Sequence, residues 1–238
     1  MTIEQVEHEL TLPEEVLLLA LRDEAGTIPM GSLYAYAMGG AILAELVLEG
    51  RVCVERVKRT ALVHLADPRL TGDLLLDEAI TRIRKAKRRA SFAAWVQRLT
   101  STDVRDLVAR RLVQRGILRR AEGKVLVFFS RKTWPTVNPR PEAEIVERMR
   151  RAIFGGEGPD LRTAALIGLA HPSGLLTHAF ASEKKELRKR KKDIQRIAEQ
   201  GHPADVVSVA VRSSIEATMA AVSTATMAAT TAATIAAT

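Results

Sequence analysis

Histidine, cysteine and neighbouring carboxylates are the side chains of this chain that could catalyse a reaction or hold a metal. His171 and His178 are seven residues apart, but Pro172 interrupts the helix that would place them on one face. Cys53 is the single cysteine and stands between two valines, which predicts a small buried side chain and excludes an internal disulfide. The sequence therefore predicts neither a metal site nor thiol chemistry.

The acidic pairs Glu14–Glu15 and Asp77–Glu78 are the remaining candidates for acid–base chemistry. Neighbouring residues on an α-helix point about 100° apart, so neither pair can act as one catalytic dyad. No glycine-rich phosphate loop follows a strand pattern, and no serine stands in a nucleophile elbow. We therefore expect no enzymatic activity and no cofactor.

An excess of positive charge is the clearest chemical feature of the chain. Its 238 residues include 36 lysines and arginines against 28 acidic residues, which gives a net charge of +8. Such a balance favours a polyanionic partner, either a nucleic acid or an anionic membrane surface, although basic residues can also serve solubility alone. Charge by itself does not decide among these.

The densest basic segment is KKELRKRKKDIQR, residues 184–196, within a helix predicted over 183–200. Helical periodicity places Leu187, Ile194 and Ile197 on one side of it. Each cation beside an anionic leaflet contributes up to about 1 kcal/mol, so several can hold a protein on a membrane. A solvated helix face and a nuclear import tract are the alternatives. The predicted membrane patch comprises Lys184, Lys185, Arg188, Lys189, Arg190, Lys191 and Lys192.

Periodic apolar patterns and capping signals predict a mainly α fold, a single globular helical domain with short β-hairpins. Thr11 to Glu14 is typical of a capping box that opens an almost wholly apolar helix. Further helices are predicted over 32–49, 73–89, 92–99, 103–115, 142–154, 161–169, 174–180 and 205–219. Hairpins are predicted over 51–65 and over 117–129, the second with a tight turn at 121–123.

The chain divides by composition into three parts. We expect an N-terminal tail over residues 1–9, the helical domain over 10–216 and an Ala/Thr-rich tail over 217–238. No signal peptide and no stretch apolar enough to span a bilayer is predicted. We therefore expect a cytoplasmic protein whose membrane contact is peripheral.

Four segments resemble the Golgi phosphoprotein 3 family. They are LTLPEEVLLLALRDEAG (10–26), GGAILAELVLEGRV (39–52), TGDLLLDEAI (71–80) and LIGLAHPSGLL (166–176), with VRDLVARRLVQRGIL (104–118) in order between them. The resemblance runs from about residue 10 to residue 215. It implies a mainly helical fold with a projecting β-hairpin and peripheral attachment through phosphatidylinositol 4-phosphate. An acidic stub replaces the basic N-terminal tail of eukaryotic members, so the chain resembles a bacterial member.

The resemblance also implies positions for a head-group pocket, which in eukaryotic members uses a tryptophan and three arginines. The tryptophan position is similar to Met30, and two arginine positions are similar to Gly39 and Thr102. Arg105 alone keeps the arginine. Independently of the resemblance, a helix that starts near Thr102 has unpaired amides in its first turn, and its dipole favours an anion there. Met30 is equally compatible with contact to lipid and with packing in the core.

A nucleic-acid-binding protein is the rival interpretation. Helix 103–115 and the basic hairpin that follows it are similar to the recognition helix and wing of a winged-helix element over 103–132. Phosphate affinity needs only such charge, so this pattern does not exclude nucleic acid. A third possibility, compatible with the first, is self-association through the apolar edge strand VLVFF in hairpin 117–129.

Overall fold

Ten α-helices and two antiparallel sheets make up most of what the computed structural model describes, which is residues 9–21, 28, 33–58, 60–126, 129–156 and 158–199. This confirms the mainly α prediction. The helices are α1 (Leu12–Ala20), α2 (Leu33–Leu48), α3 (Leu74–Lys85), α4 (Phe92–Arg98), α5 (Thr102–Gln114), α6 (Arg140–Phe154), α7 (Leu161–Ala170), α8 (Leu175–Ala179), α9 (Lys184–Lys189) and α10 (Lys191–Glu199). Across these described residues, no helix combines the length and the apolar character needed to cross a bilayer.

Helix α1 is the centre of the core. The amide of Thr11 donates a hydrogen bond to the Glu14 carboxylate at 2.9 Å, as the capping-box pattern predicts. Every residue of α1 is buried, and the helix packs against α2, α5, α6, α7 and α8. Most of the remaining helices therefore pack around α1 and its neighbour α2, while α10 packs on α6 and α7.

The first sheet has three strands, β1 (Val52–Val57), β2 (Thr60–Leu65) and β3 (Ala90–Ser91), in that order. The hairpin of β1 and β2 agrees with the sequence prediction. The short third strand was not predicted, because the helix expected over 73–89 ends at Lys85 and the chain becomes extended at Ala86. Ala90 then pairs with Val63 in antiparallel register.

The second sheet is a hairpin of β4 (Ala121–Leu126) and β5 (Phe129–Thr133). The predicted tight turn at 121–123 is wrong, because these residues belong to β4 and Ala121 pairs with Thr133. β4 continues to Leu126 instead, and β5 begins at Phe129. Residues 127–128 of the VLVFF segment lie outside the described residues. Self-association through this hairpin stays a prediction.

The basic segment is divided, not one continuous helix. A single 3₁₀ turn over Ala181–Glu183 leads into α9, and Arg190 is the one residue between the end of α9 at Lys189 and the start of α10 at Lys191. The amide of Arg190 still donates to the carbonyl of Glu186, and its own carbonyl accepts from the amide of Ile194. The two short helices thus remain linked by backbone hydrogen bonds. The helix predicted over 205–219 and the 217–238 tail lie outside the described residues.

Buried carboxylates tie α1 to helices far away in sequence. Glu14 is 1% exposed, accepts a hydrogen bond from Arg115 of α5 at 3.0 Å and pairs with Arg111 of the same helix at 3.2 Å. Arg111 also pairs with Asp73, whose carboxylate caps α3. A buried charge is tolerated only when it is paired, so Glu14 helps to set the position of α5.

Two further buried carboxylates hold α6 and α7. Glu45 of α2 accepts hydrogen bonds from both terminal nitrogens of Arg162 of α7, at 2.9 and 2.7 Å, and from the amide of Leu12. Glu15 of α1 accepts one hydrogen bond from Arg148 of α6 at 2.7 Å. The other Glu15 oxygen is buried without a hydrogen-bond partner in the described part of the chain. These ion pairs fix the helical shell around α1.

Candidate functional site

The basic patch of α9 and α10 lies on an apolar base. Leu187, Ile194 and Ile197 are buried, as their spacing predicts, and α10 packs against α6 and α7. The basic side chains point the other way, and six of the seven predicted patch residues are exposed. Arg190 is half-buried. The packing of the apolar face therefore fixes the direction in which the patch points.

Acidic neighbours neutralise only part of this patch. Lys189 pairs with Glu186 at 3.0 Å, and Arg190 pairs with Asp193 at 3.3 Å. The remaining patch cations form no ion pair with an acidic side chain that the structure describes. They are Lys184, Lys185, Arg188, Lys191 and Lys192. These five side chains give the face an unbalanced positive charge.

His171, in the turn after α7, lies close enough to the basic patch to be affected by its charge. Burial lowers the pKa of His171, and the nearby charge of Lys191 lowers it further. The histidine therefore stays neutral beside the patch at neutral pH. Among the described residues, no group of three or more histidine, cysteine and acidic side chains is arranged to hold a metal ion.

The start of α5 contains the second predicted site. Ser101 is the N-cap residue, with extended backbone and no side-chain hydrogen bond to the first turn. The hydroxyl of Ser101 therefore does not cap the amides of the first turn, and α5 begins at Thr102, one residue earlier than a cap at Thr102 implies. The side chain of Thr102 lies outside the part of the chain that the structure describes.

Arg105 does not point freely into solvent. Its Nε and terminal nitrogen both donate to one Asp106 oxygen, at 3.0 and 2.8 Å, and Lys132 of β5 approaches the other oxygen at 3.3 Å. Burial alone would raise the pKa of Asp106, but the hydrogen bonds and charges of Arg105 and Lys132 lower it overall. An anionic ligand at Arg105 would have to compete with this carboxylate.

Tyr34 of α2 borders the same place, although sequence reasoning did not single it out. Burial raises the pKa of Tyr34 to about 12, while the charge of Arg105 acts in the opposite direction, so the phenol lies within electrostatic reach of Arg105. A tyrosine in an apolar helix gives no sequence signal for a place near a distant arginine. Tyr34 was missed by the sequence analysis, whereas Lys132 was included only as part of the basic hairpin and not as a neighbour of Arg105.

Gly39 has a structural role that its sequence position does not reveal. A Cβ atom placed on Gly39 would lie 2.5 Å from the carbonyl oxygen of Val96 in α4 and 3.1 Å from the Thr100 hydroxyl oxygen. Glycine therefore allows α2 and α4 to touch through their backbones, just before α5 begins. Met30, the remaining predicted pocket position, lies outside the described residues.

Comparison with known proteins is decisive for the family. A family model described as Golgi phosphoprotein 3 matches residues 12–218. The chain belongs to the Golgi phosphoprotein 3 family. Its relatives include Vacuolar protein sorting-associated protein 74 of Eremothecium gossypii, which is 30% identical over 218 residues in an alignment that covers 77% of this chain. The chain spans 65% of that relative's length. That it is a bacterial member of the family stays a prediction.

Proposed function

We propose that this protein is a non-enzymatic peripheral membrane protein that binds anionic phospholipid. The observation that supports this most is the outward-facing patch of α9 and α10, whose apolar side is buried and five of whose cations have no acidic partner in the described structure. Exposed lysines on a rigid base attract an anionic leaflet without any deep pocket. Family membership supports the same proposal.

Phosphatidylinositol 4-phosphate is the head group that the family resemblance suggests. The proposed contact is Arg105, assisted by the first amides of α5 and by Lys132, with Met30, Gly39 and Thr102 at the other pocket positions. Three of these four positions lack the aromatic or cationic side chain of eukaryotic members, and Asp106 competes for Arg105. We therefore expect weak selectivity for this head group, with the patch supplying most of the membrane affinity.

The nucleic-acid alternative receives less support from the geometry. A recognition helix must present basic and polar side chains outward, but Arg111 and Arg115 of α5 turn toward α1 and pair with Glu14. Arg110 is the exposed cation that remains on the described part of α5. We propose lipid as the partner, and a DNA-binding assay serves as the comparison.

Charge reversal in the patch tests the proposal. In the variant Lys191→Glu with Lys192→Glu, two unpaired cations become acidic at the start of α10, where the helix dipole tolerates them. We expect binding to vesicles of phosphatidylcholine and phosphatidylserine to weaken at least about tenfold, because each charge contributes up to about 1 kcal/mol. Vesicle co-sedimentation measures this, and wild-type binding should also weaken as salt is added.

The matched control is Arg119→Glu with Arg120→Glu, which changes the net charge equally beside the second hairpin. We expect this control to retain vesicle binding. Equal losses in both variants would mean that only total charge matters and that the patch is not a site. Equal wild-type binding to neutral and anionic vesicles, or a clear preference for DNA that only the Arg119/Arg120 variant abolishes, would contradict the membrane proposal itself.

A further inference from the structure

Two leucines beside the N-terminus of α3 have exposed side chains. Leu70, in the loop between β2 and α3, is 58% exposed, and Leu74, the first residue of α3, is 75% exposed. Single exposed apolar residues are common on protein surfaces. Leu70 and Leu74 differ from such single residues, because both belong to one short stretch of chain that is held in place and that exposed cations approach.

Hydrogen bonds on both sides hold this loop in place. The amide and hydroxyl of Thr71 donate to Asp77 at 2.6 and 2.9 Å, and the amide of Gly72 donates to the same carboxylate. On the other side, Arg69 closes a turn onto Asp67. The exposure of Leu70 is therefore built into the loop. A binding surface that is already ordered loses little conformational freedom when a partner covers it.

Exposed cations approach the loop that carries Leu70. Arg84, near the end of α3, donates to the carbonyl of Pro68 and so brings that end of the helix beside the loop. Ala90 pairs with Val63 in antiparallel register, so the residues before Ala90 run toward the end of β2 where the loop begins. Lys85, Lys87 and Arg88 are exposed there.

The acidic side chains around this loop are already occupied. Asp73 pairs with Arg111, Glu78 with Arg82 and Glu55 with Arg89. Asp67 and Asp77 accept the loop hydrogen bonds described above. Lys85, Lys87 and Arg88 form no ion pair with an acidic side chain in the described residues. The surface thus combines exposed apolar side chains with unbalanced positive charge.

We propose that this surface, formed by Leu70, Leu74, Arg84, Lys85, Lys87 and Arg88 and called here the α3 edge, docks onto the interface of an anionic lipid bilayer. It rests on the proposed membrane association and adds a second contact, since α3 packs against α2, α5 and β2 whereas the basic patch packs against α6 and α7. Leucine side chains are stabilised when they are buried at the boundary between head groups and acyl chains. The cations are attracted by anionic head groups. A nucleic-acid backbone would satisfy the cations alone.

The test replaces both leucines by a polar residue of similar size, Leu70→Gln with Leu74→Gln. We expect binding to vesicles of phosphatidylcholine and phosphatidylserine to weaken by about tenfold, because the free energy gained by moving two leucine side chains out of water is lost. Val137→Gln is the matched control, since Val137 is 57% exposed but lies beside the second hairpin. Thermal unfolding verifies that both variants are folded, and binding to heparin measures attraction to a soluble polyanion.

The outcomes separate this proposal from the general one. Loss of vesicle binding in the leucine variant, with heparin binding and the Val137 variant unchanged, supports the α3 edge. Unchanged vesicle binding in the leucine variant, an equal loss in the Val137 variant, or a parallel loss of heparin binding overturns the α3 edge while leaving membrane association in place. If the wild-type protein binds no anionic vesicle at all, both proposals fail.

Discussion

Arg105 and Asp106 bond each other through two guanidinium nitrogens, and this pair determines what Arg105 can offer a ligand. A free arginine can hold a phosphate through two parallel hydrogen bonds. Here the phosphate must first displace a carboxylate that Lys132 also attracts. Because that exchange replaces one anionic acceptor by another, the net gain in binding free energy is small.

Arg105→Ala measures that gain. We expect the preference for phosphatidylinositol 4-phosphate over phosphatidylserine to fall by about threefold, below what the 1.5–3 kcal/mol of a charged hydrogen bond would give, because Asp106 competes. General binding to anionic vesicles should change little. Arg110→Ala, which removes an exposed cation one and a half turns later on α5, is the control. If Arg105→Ala leaves a measurable head-group preference intact, the pocket carried over from the family does not apply to this chain.

Glu15 is a residue whose protonation should affect stability. Burial raises its pKa from 4.5 to about 7, although the hydrogen bond and charge of Arg148 and the charge of Arg162 lower it, and Glu45 adds to the rise. The folded protein therefore keeps a proton on Glu15 that the unfolded chain loses above about 4.5. Since one pKa unit corresponds to about 1.4 kcal/mol, folding stability falls by on the order of 3 kcal/mol as pH rises between these two values.

Glu15→Gln removes this titration. We expect the variant to lack the decline in the free energy of unfolding that the wild type shows between pH about 4.5 and about 7, because its side chain stays neutral throughout. Urea unfolding over this pH range measures the difference. The exposed Glu78, paired with Arg82, provides the control variant Glu78→Gln, whose profile should follow the wild type. Parallel profiles for Glu15→Gln and wild type would assign the pH dependence to other groups.

The contact between α2 and α4 depends on the absence of a side chain at one position. Gly39 is helical and predicted as such, but its closeness to the Val96 carbonyl could not be predicted from sequence, because helix periodicity gives the buried face and not the distance between two helix axes. Any side chain at this position requires α2 and α4 to separate.

Gly39→Ala tests how firmly the two helices are held. Alanine is the better helix former by up to about 1 kcal/mol, but its Cβ would collide with backbone, and overpacking costs about 1–3 kcal/mol. We expect a net loss of about 1–2 kcal/mol in the free energy of unfolding, measured by urea denaturation. Gly158→Ala is the control, because no heavy atom lies within 4 Å of its added Cβ. A stable Gly39→Ala protein would mean that α4 can shift readily.

At the scale of the whole molecule, local signals predicted the elements better than their ends or partners. The capping box at Thr11 and the hairpin of β1 and β2 follow from nearest neighbours, and both were predicted. The strand β3 and the turn of the second hairpin depend on pairing with residues farther along the chain, which no local pattern records. The patch of α9 and α10 was predicted because its charge is local. The α3 edge was not, because it joins a loop, a helix and a connector.

The same distinction applies to Glu14 and Glu15, for which the sequence predicted a capping box and no catalytic dyad but not burial. Glu14 does close the predicted capping box, but it is also buried and paired with Arg111 and Arg115. These arginines stand on α5, and nothing in the α1 sequence identifies them. Partners for buried charges can be recognised only when the packing of α1 is known, so this part of the fold had to come from the structure.

The position of α1 at the centre also has a consequence for how the chain is synthesised. Its ion-pair partners lie 101 residues away for Glu14 and 133 residues away for Glu15, so α1 leaves the ribosome long before them. At about 5–20 residues per second, the wait for Arg148 is on the order of ten seconds. Throughout that time the segment LPEEVLLLA lacks its contacts with α6, α7 and α8 and the counter-charge of Glu15. The apolar helix at the centre of the core must therefore be protected from aggregation while the later helices are still being synthesised.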